Sequence, residues 1–317
     1  MFEAIGTFLL GLLLLLLGGD SVLRGVSGLG QRLGLSPFLA GLLLLSFATS
    51  LPELAINAYA MQHGQIELAL GNAVGSNIVN IGLILALAAV SAPLLIQMRI
   101  LGAEVVFVVV ATGAVLFLGI DGRISRGEGA LLLAAFIGFL VFVFSRGRRE
   151  PDVVQKEMSE FARTATGPAQ NLIRLVIGSV VLYFGSRFVV SGALPIGQSL
   201  GFGAMVTGLT VLAVGTALPE VVTALLAAHR GHGSVVAGQV LGGCLFNLLV
   251  VVGGMAVVHP LLLPASFVSF ELPIAMAFAL TLFPALAGDW RVSRREGGIL
   301  FVLFLAWLLF EFLQARY

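Results

Sequence analysis

The residues able to do chemistry sit in two matched stretches of otherwise apolar sequence. One is Phe47-Ala48-Thr49-Ser50-Leu51-Pro52-Glu53 and the other is Val214-Gly215-Thr216-Ala217-Leu218-Pro219-Glu220. Each places a glutamate in the middle of a run long enough to cross a bilayer. An acidic side chain at the bilayer centre costs on the order of 3 kcal/mol, so a glutamate there marks a functional site by default. Proline lacks an N–H and clashes with the carbonyl four residues back. Pro52 therefore frees the carbonyl of Ala48, and Pro219 frees that of Gly215. Thr49 and Thr216 stand four residues before the glutamates, on the same helix face. Each stretch thus gathers a carboxylate, a hydroxyl and loosened carbonyls, a donor set that suits hard cations such as Ca²⁺ and Na⁺.

A second pair of stretches follows the first. Gly71-Asn72-Ala73-Val74-Gly75-Ser76-Asn77-Ile78-Val79-Asn80 matches Gly238-Gln239-Val240-Leu241-Gly242-Gly243-Cys244-Leu245-Phe246-Asn247. The G-x-x-x-G spacing lets two helices approach closely. Ser76 and Asn80 share a face, and an asparagine supplies either a neutral oxygen ligand or a hydrogen bond that orients a carboxylate. Glu104 and Glu271 also match, but near the starts of their helices, where an interfacial or packing role is expected. Ser125 with Glu128, and Ser293 with Glu296, have the spacing of a capping box. His63, His229, His232 and His259 fall at loop ends without ligand spacing.

These stretches must be held by membrane helices. Of 317 residues 59% are hydrophobic and 10% charged, with a mean hydropathy of +1.08. So few charges cannot clothe a soluble protein of this size. A net charge of +1 gives no field for nucleic acid. The single cysteine, Cys244, builds neither a disulfide nor a thiolate metal site. Apolar runs at 2–26, 36–62, 67–92, 99–119, 127–145, 170–190, 201–229, 234–258, 264–287 and 295–314 are each long enough to span. The first carries Glu3 and no basic leader, so it reads as a transmembrane helix and not as a cleaved signal.

The matching is global. An offset of 167 takes Gly18 to Gly185, Gly25 to Gly192, Glu53 to Glu220, Gly75 to Gly242, Asn80 to Asn247 and Glu104 to Glu271. Five spans per copy is an odd number, so the second copy must enter from the opposite side of the membrane. The expected fold is an all-α membrane protein of ten transmembrane helices arranged as two inverted five-helix repeats, an arrangement typical of secondary transporters. The first repeat is 1–145, a polar cytoplasmic linker is 146–169, and the second repeat is 170–317. With the amino terminus outside, all of the 17 lysines and arginines except Arg123, Arg126, Arg187 and Arg316 fall on the inner side. Both termini are then outside.

The two paired motifs, Ala48 to Glu53 with Gly71 to Ser76 and Gly215 to Glu220 with Gly238 to Asn247, resemble the alpha repeats of the cation/calcium exchanger superfamily, and in pattern its prokaryotic sodium/calcium exchangers. The resemblance covers essentially the whole chain. It implies ion ligands Thr49, Ser50, Glu53, Ser76 and Asn80 from the first repeat, and Thr216, Glu220 and Asn247 from the second. Backbone carbonyls near Ser46 and Ala213 would join them. Ca²⁺ itself would fall to Glu53, Glu220, Thr49 and Thr216. The resemblance also implies that the first and sixth helices slide across the other eight to switch access, and places such a protein in a prokaryotic inner (plasma) membrane.

The sequence departs from the sodium/calcium pattern at Ala217, Gly243 and Asn247, where the family has a hydroxyl, a serine and an aspartate. Each change removes an oxygen or a charge from the sodium sites. Glu53 and Glu220 supply −2, which matches one Ca²⁺ but not three Na⁺. Two Na⁺ would balance, and so would two protons, since proton loading is physically plausible where two carboxylates lie close. The leading expectation is a Ca²⁺/Na⁺ antiporter; the alternatives are Ca²⁺/H⁺ exchange on the same glutamates or exchange of another divalent cation. A passive pore, an organic-solute carrier and an enzyme fit less well. Neither motif offers a group for an organic solute, and no nucleophile–base pair or phosphate loop is present. No cofactor is implied beyond the transported ions, and the expected partners are inorganic cations and the lipid bilayer, with no obligate protein partner evident.

Overall fold

The computed structural model describes residues 1–32, 50–96, 100–147, 167–287 and 291–314. Thr49, Ser46 and most of the apolar run expected at 36–62 lie outside these residues. In lipid every backbone N–H and C=O must be satisfied within its own segment, and the described chain is accordingly almost all helix. We label the helices α1 (Phe2–Arg32), α2 (Leu51–Gln62), α3 (Ile66–Ser91), α4 (Ile100–Leu118), α5 (Arg126–Gly147), α6 (Pro168–Ser199), α7 (Ala204–His229) and α8 (Gly233–Val258). In α9 a π-helical turn at Phe267–Glu271 runs into Leu272–Ala287, and α10 is Arg294–Gln314. Eight stretches of the described residues are long and apolar enough to cross a membrane.

Helix ends follow local rules. The Ser125 backbone N–H donates to Glu128 Oε2 at 2.7 Å, and the Glu128 N–H donates back to Ser125 Oγ at 3.3 Å. Ser293 and Glu296 repeat this at 2.7 and 3.3 Å. Both boxes expected from spacing are therefore formed, at the starts of α5 and α10. Two helices run further than their apolar runs suggested. α1 continues to Arg32, and α6 extends 32 residues, straight through Pro195 to Ser199. At 1.5 Å per residue α6 is about 48 Å long, well beyond a hydrocarbon core of roughly 30 Å, so it must tilt or project.

α1 and α6 form the most extensive helix pair. Gly11, Gly18 and Gly25 recur every seven residues on α1, and Gly178, Gly185 and Gly192 do so on α6. Seven residues are nearly two turns, so each set lies on one face. A Cβ on Gly18 would stand 2.8 Å from the Leu182 nitrogen, and one on Gly185 would stand 2.9 Å from the Leu15 nitrogen. These two contacts are images of each other under the 167-residue offset. Only small residues permit backbones this close.

The centre of the molecule is α3 and α8, whose apolar windows are each 83% buried, against 22% for α5. α2 and α7 pack against them. Gly71 and Gly75 of α3 abut the Met205–Leu209 backbone of α7, as the G-x-x-x-G spacing required. Two short antiparallel strand pairs tie the halves together. Leu94–Leu95 pairs with Arg291–Val292, and Arg123–Ile124 pairs with Leu261–Leu262. Each pair takes one strand from each half: Leu94–Leu95 maps to Leu261–Leu262 at the offset of 167, and Arg123–Ile124 maps to Arg291–Val292 at 168, after one inserted residue.

Glu104 and Glu271, expected in an interfacial or packing role, are buried in the protein, 1% and 4% exposed, which fits packing.

Candidate ion site

Two central helices owe their local geometry to wound-out turns. α3 changes from α to π at Asn80–Leu85, and α8 does so at Phe246–Val252. Asn80 opens the first π turn, and Asn247 is the second residue of the other. A third lies in α7 at Gly208–Leu212, just before the Thr216–Glu220 motif. π turns shift the register of side chains and concentrate at functional sites. Nothing in the spacing of the sequence announced them.

Glu53 is 4% exposed and sits in the first turn of α2, after Pro52. Glu220 is partly buried on α7, directly after the in-helix Pro219. The two carboxyls lie near enough for the charge of Glu53 to act on Glu220. Thr216 from the second half stands beside the Glu53 carboxyl. Its hydroxyl hydrogen is directed at its own helix, donating to the Leu212 carbonyl at 3.0 Å, with the Ala213 carbonyl at 3.3 Å. A hydroxyl that donates to its own helix keeps its lone pairs available to a cation.

The remaining expected residues gather in a second group. Ser50 and Asn80 converge on Gly243 of α8: a Cβ there would be 3.4 Å from Ser50 Oγ and 3.0 Å from Asn80 Nδ2. Asn80 Nδ2 also donates to Cys244 Sγ at 3.9 Å. Asn247 Nδ2 approaches Asn77 Oδ1 at 3.4 Å. Ser76 is buried, with no hydrogen-bond partner for its Oγ. The expected ligands on described residues thus all lie on α2, α3, α7 and α8, with Glu53, Glu220 and Thr216 in direct proximity. Thr49 and Ser46 fall outside the described residues.

The oxygens that lack partners are informative. Buried polar atoms are nearly always hydrogen-bonded, yet among the described residues Glu53 Oε2, Glu220 Oε2, Ser76 Oγ and Asn247 Oδ1 are buried without a partner. All four are oxygens able to accept. Left so, each would cost about 1–3 kcal/mol, and oxygens of this kind are what hard cations bind.

Several polar neighbours were not singled out by sequence. Asn72 Nδ2 donates to Asn57 Oδ1 at 3.0 Å, cross-linking α3 to α2 one turn beyond Glu53. Asn77 orients Asn247, and its offset mate is Cys244, which sits between Asn80 and the Asn77 carbonyl. The signal for Asn57 was available: it stands four residues after Glu53 and shares its face.

Comparison with known proteins places this geometry. The sodium/calcium exchanger protein family matches the chain twice, over residues 3–145 and 171–313. A putative antiporter CaxA of Alkalimonas amylolytica is 32% identical over 311 residues, covering 96% of this chain and 97% of that protein. The inner membrane protein YrbG of Escherichia coli is 30% identical, covering 97% and 96%. A structure of the sodium-calcium exchanger NCX_Mj soaked with Na⁺ and Sr²⁺ superposes with a TM-score of 0.66 at 28% identity, over 96% of this chain and 97% of the other. A buried, oxygen-lined pair of glutamates on matched helices, and whole-length similarity to proteins built the same way, converge: this chain is a multi-pass integral membrane protein of the sodium/calcium exchanger family.

Proposed function

We propose that the chain exchanges Ca²⁺ for Na⁺ across the membrane by alternating access to a single central site. The observation that carries this reading is the meeting of Glu53 and Glu220, from equivalent positions in the two halves, with carboxylate oxygens left unpartnered. Their charge of −2 matches one Ca²⁺ or two Na⁺. Glu53, Glu220 and Thr216 serve as Ca²⁺ ligands together with Thr49, and Ser50, Ser76, Asn80 and Asn247 complete the ion shell with carbonyls near Ser46 and Ala213. The architecture we assign is two inverted five-helix repeats, ten spans in all, with both termini outside and residues 146–169 cytoplasmic. The two strand pairs that interchange under the offset, and the image-related contacts of Gly18 and Gly185, support that symmetry.

Na⁺ is the counter-ion of choice because the site is lined by neutral oxygens as well as carboxylates. The Ca²⁺/H⁺ reading rests on what α8 lacks. Gly243 offers no hydroxyl where its neighbours crowd, and Asn247 is neutral. The test is Ca²⁺ uptake into proteoliposomes with Na⁺ and pH gradients imposed separately. An outward Na⁺ gradient is expected to drive uptake at constant pH. Uptake driven by a pH gradient alone, with Na⁺ absent, would establish the proton reading instead. In the same assay Asn247→Asp is expected to raise the dependence on Na⁺, because it adds a carboxylate to the shell. An unchanged Na⁺ dependence would remove Asn247 from the account of coupling.

A further inference from the structure

A second pair of acidic side chains lies inside the protein, apart from the central site. Glu271 closes the π turn that begins α9, and Glu311 sits near the end of α10. They are 4% and 1% exposed. Their carboxyls are within hydrogen-bonding reach of each other. The adjoining residues fix the approach, since the rings of Phe270 and Phe310 lie 4.6 Å apart.

Among the described residues neither member of the pair has a cation to neutralise it. The ion pairs Asp20–Arg24 and Asp121–Arg123 lie elsewhere. On α10 itself the other charges are Arg294, Arg295 and Glu296, in the first turn and about 22–26 Å along the helix from Glu311. Of the elements packed on α9, α4 carries Glu104, α3 carries Glu67 in its exposed first turn, and the Arg291–Val292 strand carries Arg291. The charge that acts on Glu271 is that of Glu311.

The polar atoms are also unbalanced. Among the described residues Glu271 Oε2 and both carboxylate oxygens of Glu311 are buried without a hydrogen-bond donor. Trp307, 4% exposed and one turn before Glu311, brings its indole N–H to that carboxyl but finds no aligned acceptor. Two carboxylates in contact contain no hydrogen to share. Their contact becomes a hydrogen bond only when one of them carries a proton, as in other paired buried acids. Two ionised carboxylates in contact, desolvated and without a counter-charge, would instead repel strongly.

We propose that Glu271 and Glu311 form a proton-binding site, in which one proton is held between the two carboxyls and joins α9 to α10 away from the transported ion. Trp307 orients the Glu311 carboxyl. The site exists in one half only. Glu104 is the offset mate of Glu271, but once the single residue inserted between Glu271 and Asp289 is counted, making the offset 168, the position matching Glu311 is Val143. It is therefore not a relic of the ion-binding repeat.

The experiment is an infrared pH titration of the purified full-length protein, carried out on the Glu53→Gln/Glu220→Gln variant so that the central carboxyls do not contribute. A carbonyl-stretch band of a protonated carboxylic acid is expected, and its loss when either Glu311→Gln or Glu271→Gln is added. Two results would overturn the proposal: absence of the band, or its persistence at full intensity in both added variants. Glu311→Ala provides a second readout. A glutamine can donate the missing hydrogen bond to Glu271, so Glu311→Gln should keep the thermal midpoint of the parent protein while Glu311→Ala lowers it. Equal midpoints for the alanine and glutamine variants would show that no hydrogen bond joins the pair.

Discussion

Glu53→Gln is expected to abolish Ca²⁺ exchange while leaving the protein folded, and Glu220→Gln is expected to do the same. The reason is charge first. With one glutamate neutral, the site holds −1 against a divalent ion. Breaking a buried charge pair by removing one partner costs about 3–5 kcal/mol. At 1.4 kcal/mol per tenfold, that is roughly a 100-fold to several-thousand-fold loss of affinity. Geometry adds to it. Glutamine replaces one carboxylate oxygen by an N–H₂ group, which cannot ligate a cation and would point hydrogens at Thr216 or at the other glutamate. The fold should survive, because glutamine keeps the volume and removes a like-charge contact between Glu53 and Glu220. The measurement is isotopic Ca²⁺ flux in proteoliposomes, with thermal unfolding and gel filtration of the same preparation. Normal flux from either variant would refute the assignment of the central site.

The glutamates were legible in the sequence because the rules that mark them are local. A carboxylate in an apolar run, a proline one residue before it and a threonine four before it can all be read from spacing. So can the capping boxes at Ser125 and Ser293, which formed as expected. The cross-half contacts were legible in a weaker sense. The offset showed which residues are equivalent, but not that Thr216 would stand beside Glu53.

What stayed hidden depends on winding and on long-range partners. The π turns at Asn80 and Asn247 have no composition of their own, since a π turn is an ordinary helical sequence with one residue more per turn. The apolar run at 170–190 gave no sign that α6 continues through Pro195 to Ser199, as membrane helices can when neighbours satisfy the freed carbonyl. Glu271 was legible only as one of a matched pair with Glu104, and that match gave a packing role but no partner. Its partner is Glu311, whose own offset position is an apolar valine. Repeat logic finds what two halves share and is blind to what one half has added. Gly243 shows the same limit. By comparison with Ser76 it is a missing hydroxyl; in the structure it is also the surface on which Ser50 and Asn80 close, with little room for a side chain.

Gly18→Leu is expected to eliminate transport and to destabilise the protein, through the α1–α6 contact. At Gly18 the nearest atoms to an added Cβ are the Leu182 nitrogen at 2.8 Å and the Gly178 oxygen at 2.9 Å. Both are backbone, so no side-chain rotation can relieve the overlap, and the helices must separate. Overpacking of this kind costs about 1–3 kcal/mol. A gain of roughly 0.5–1 kcal/mol from replacing a mid-helix glycine does not offset it. Separation would be felt along the whole pair, because Gly11 and Gly25 on the same face make equally close contacts with Val189 and Asn171. It would also reach the ion site, since Phe8 of α1 packs its ring on Gly215, the residue before Thr216, and Gly19 packs on Pro52, the residue before Glu53. Gly6→Leu is the control. It lies on the same helix, but nothing stands within 4 Å of the position its Cβ would take. Thermal unfolding and Ca²⁺ flux of the two variants should therefore diverge. If Gly18→Leu matched Gly6→Leu in both, α1 and α6 would not need their close contact, and the coupling of that pair to the two glutamate motifs would have to be abandoned.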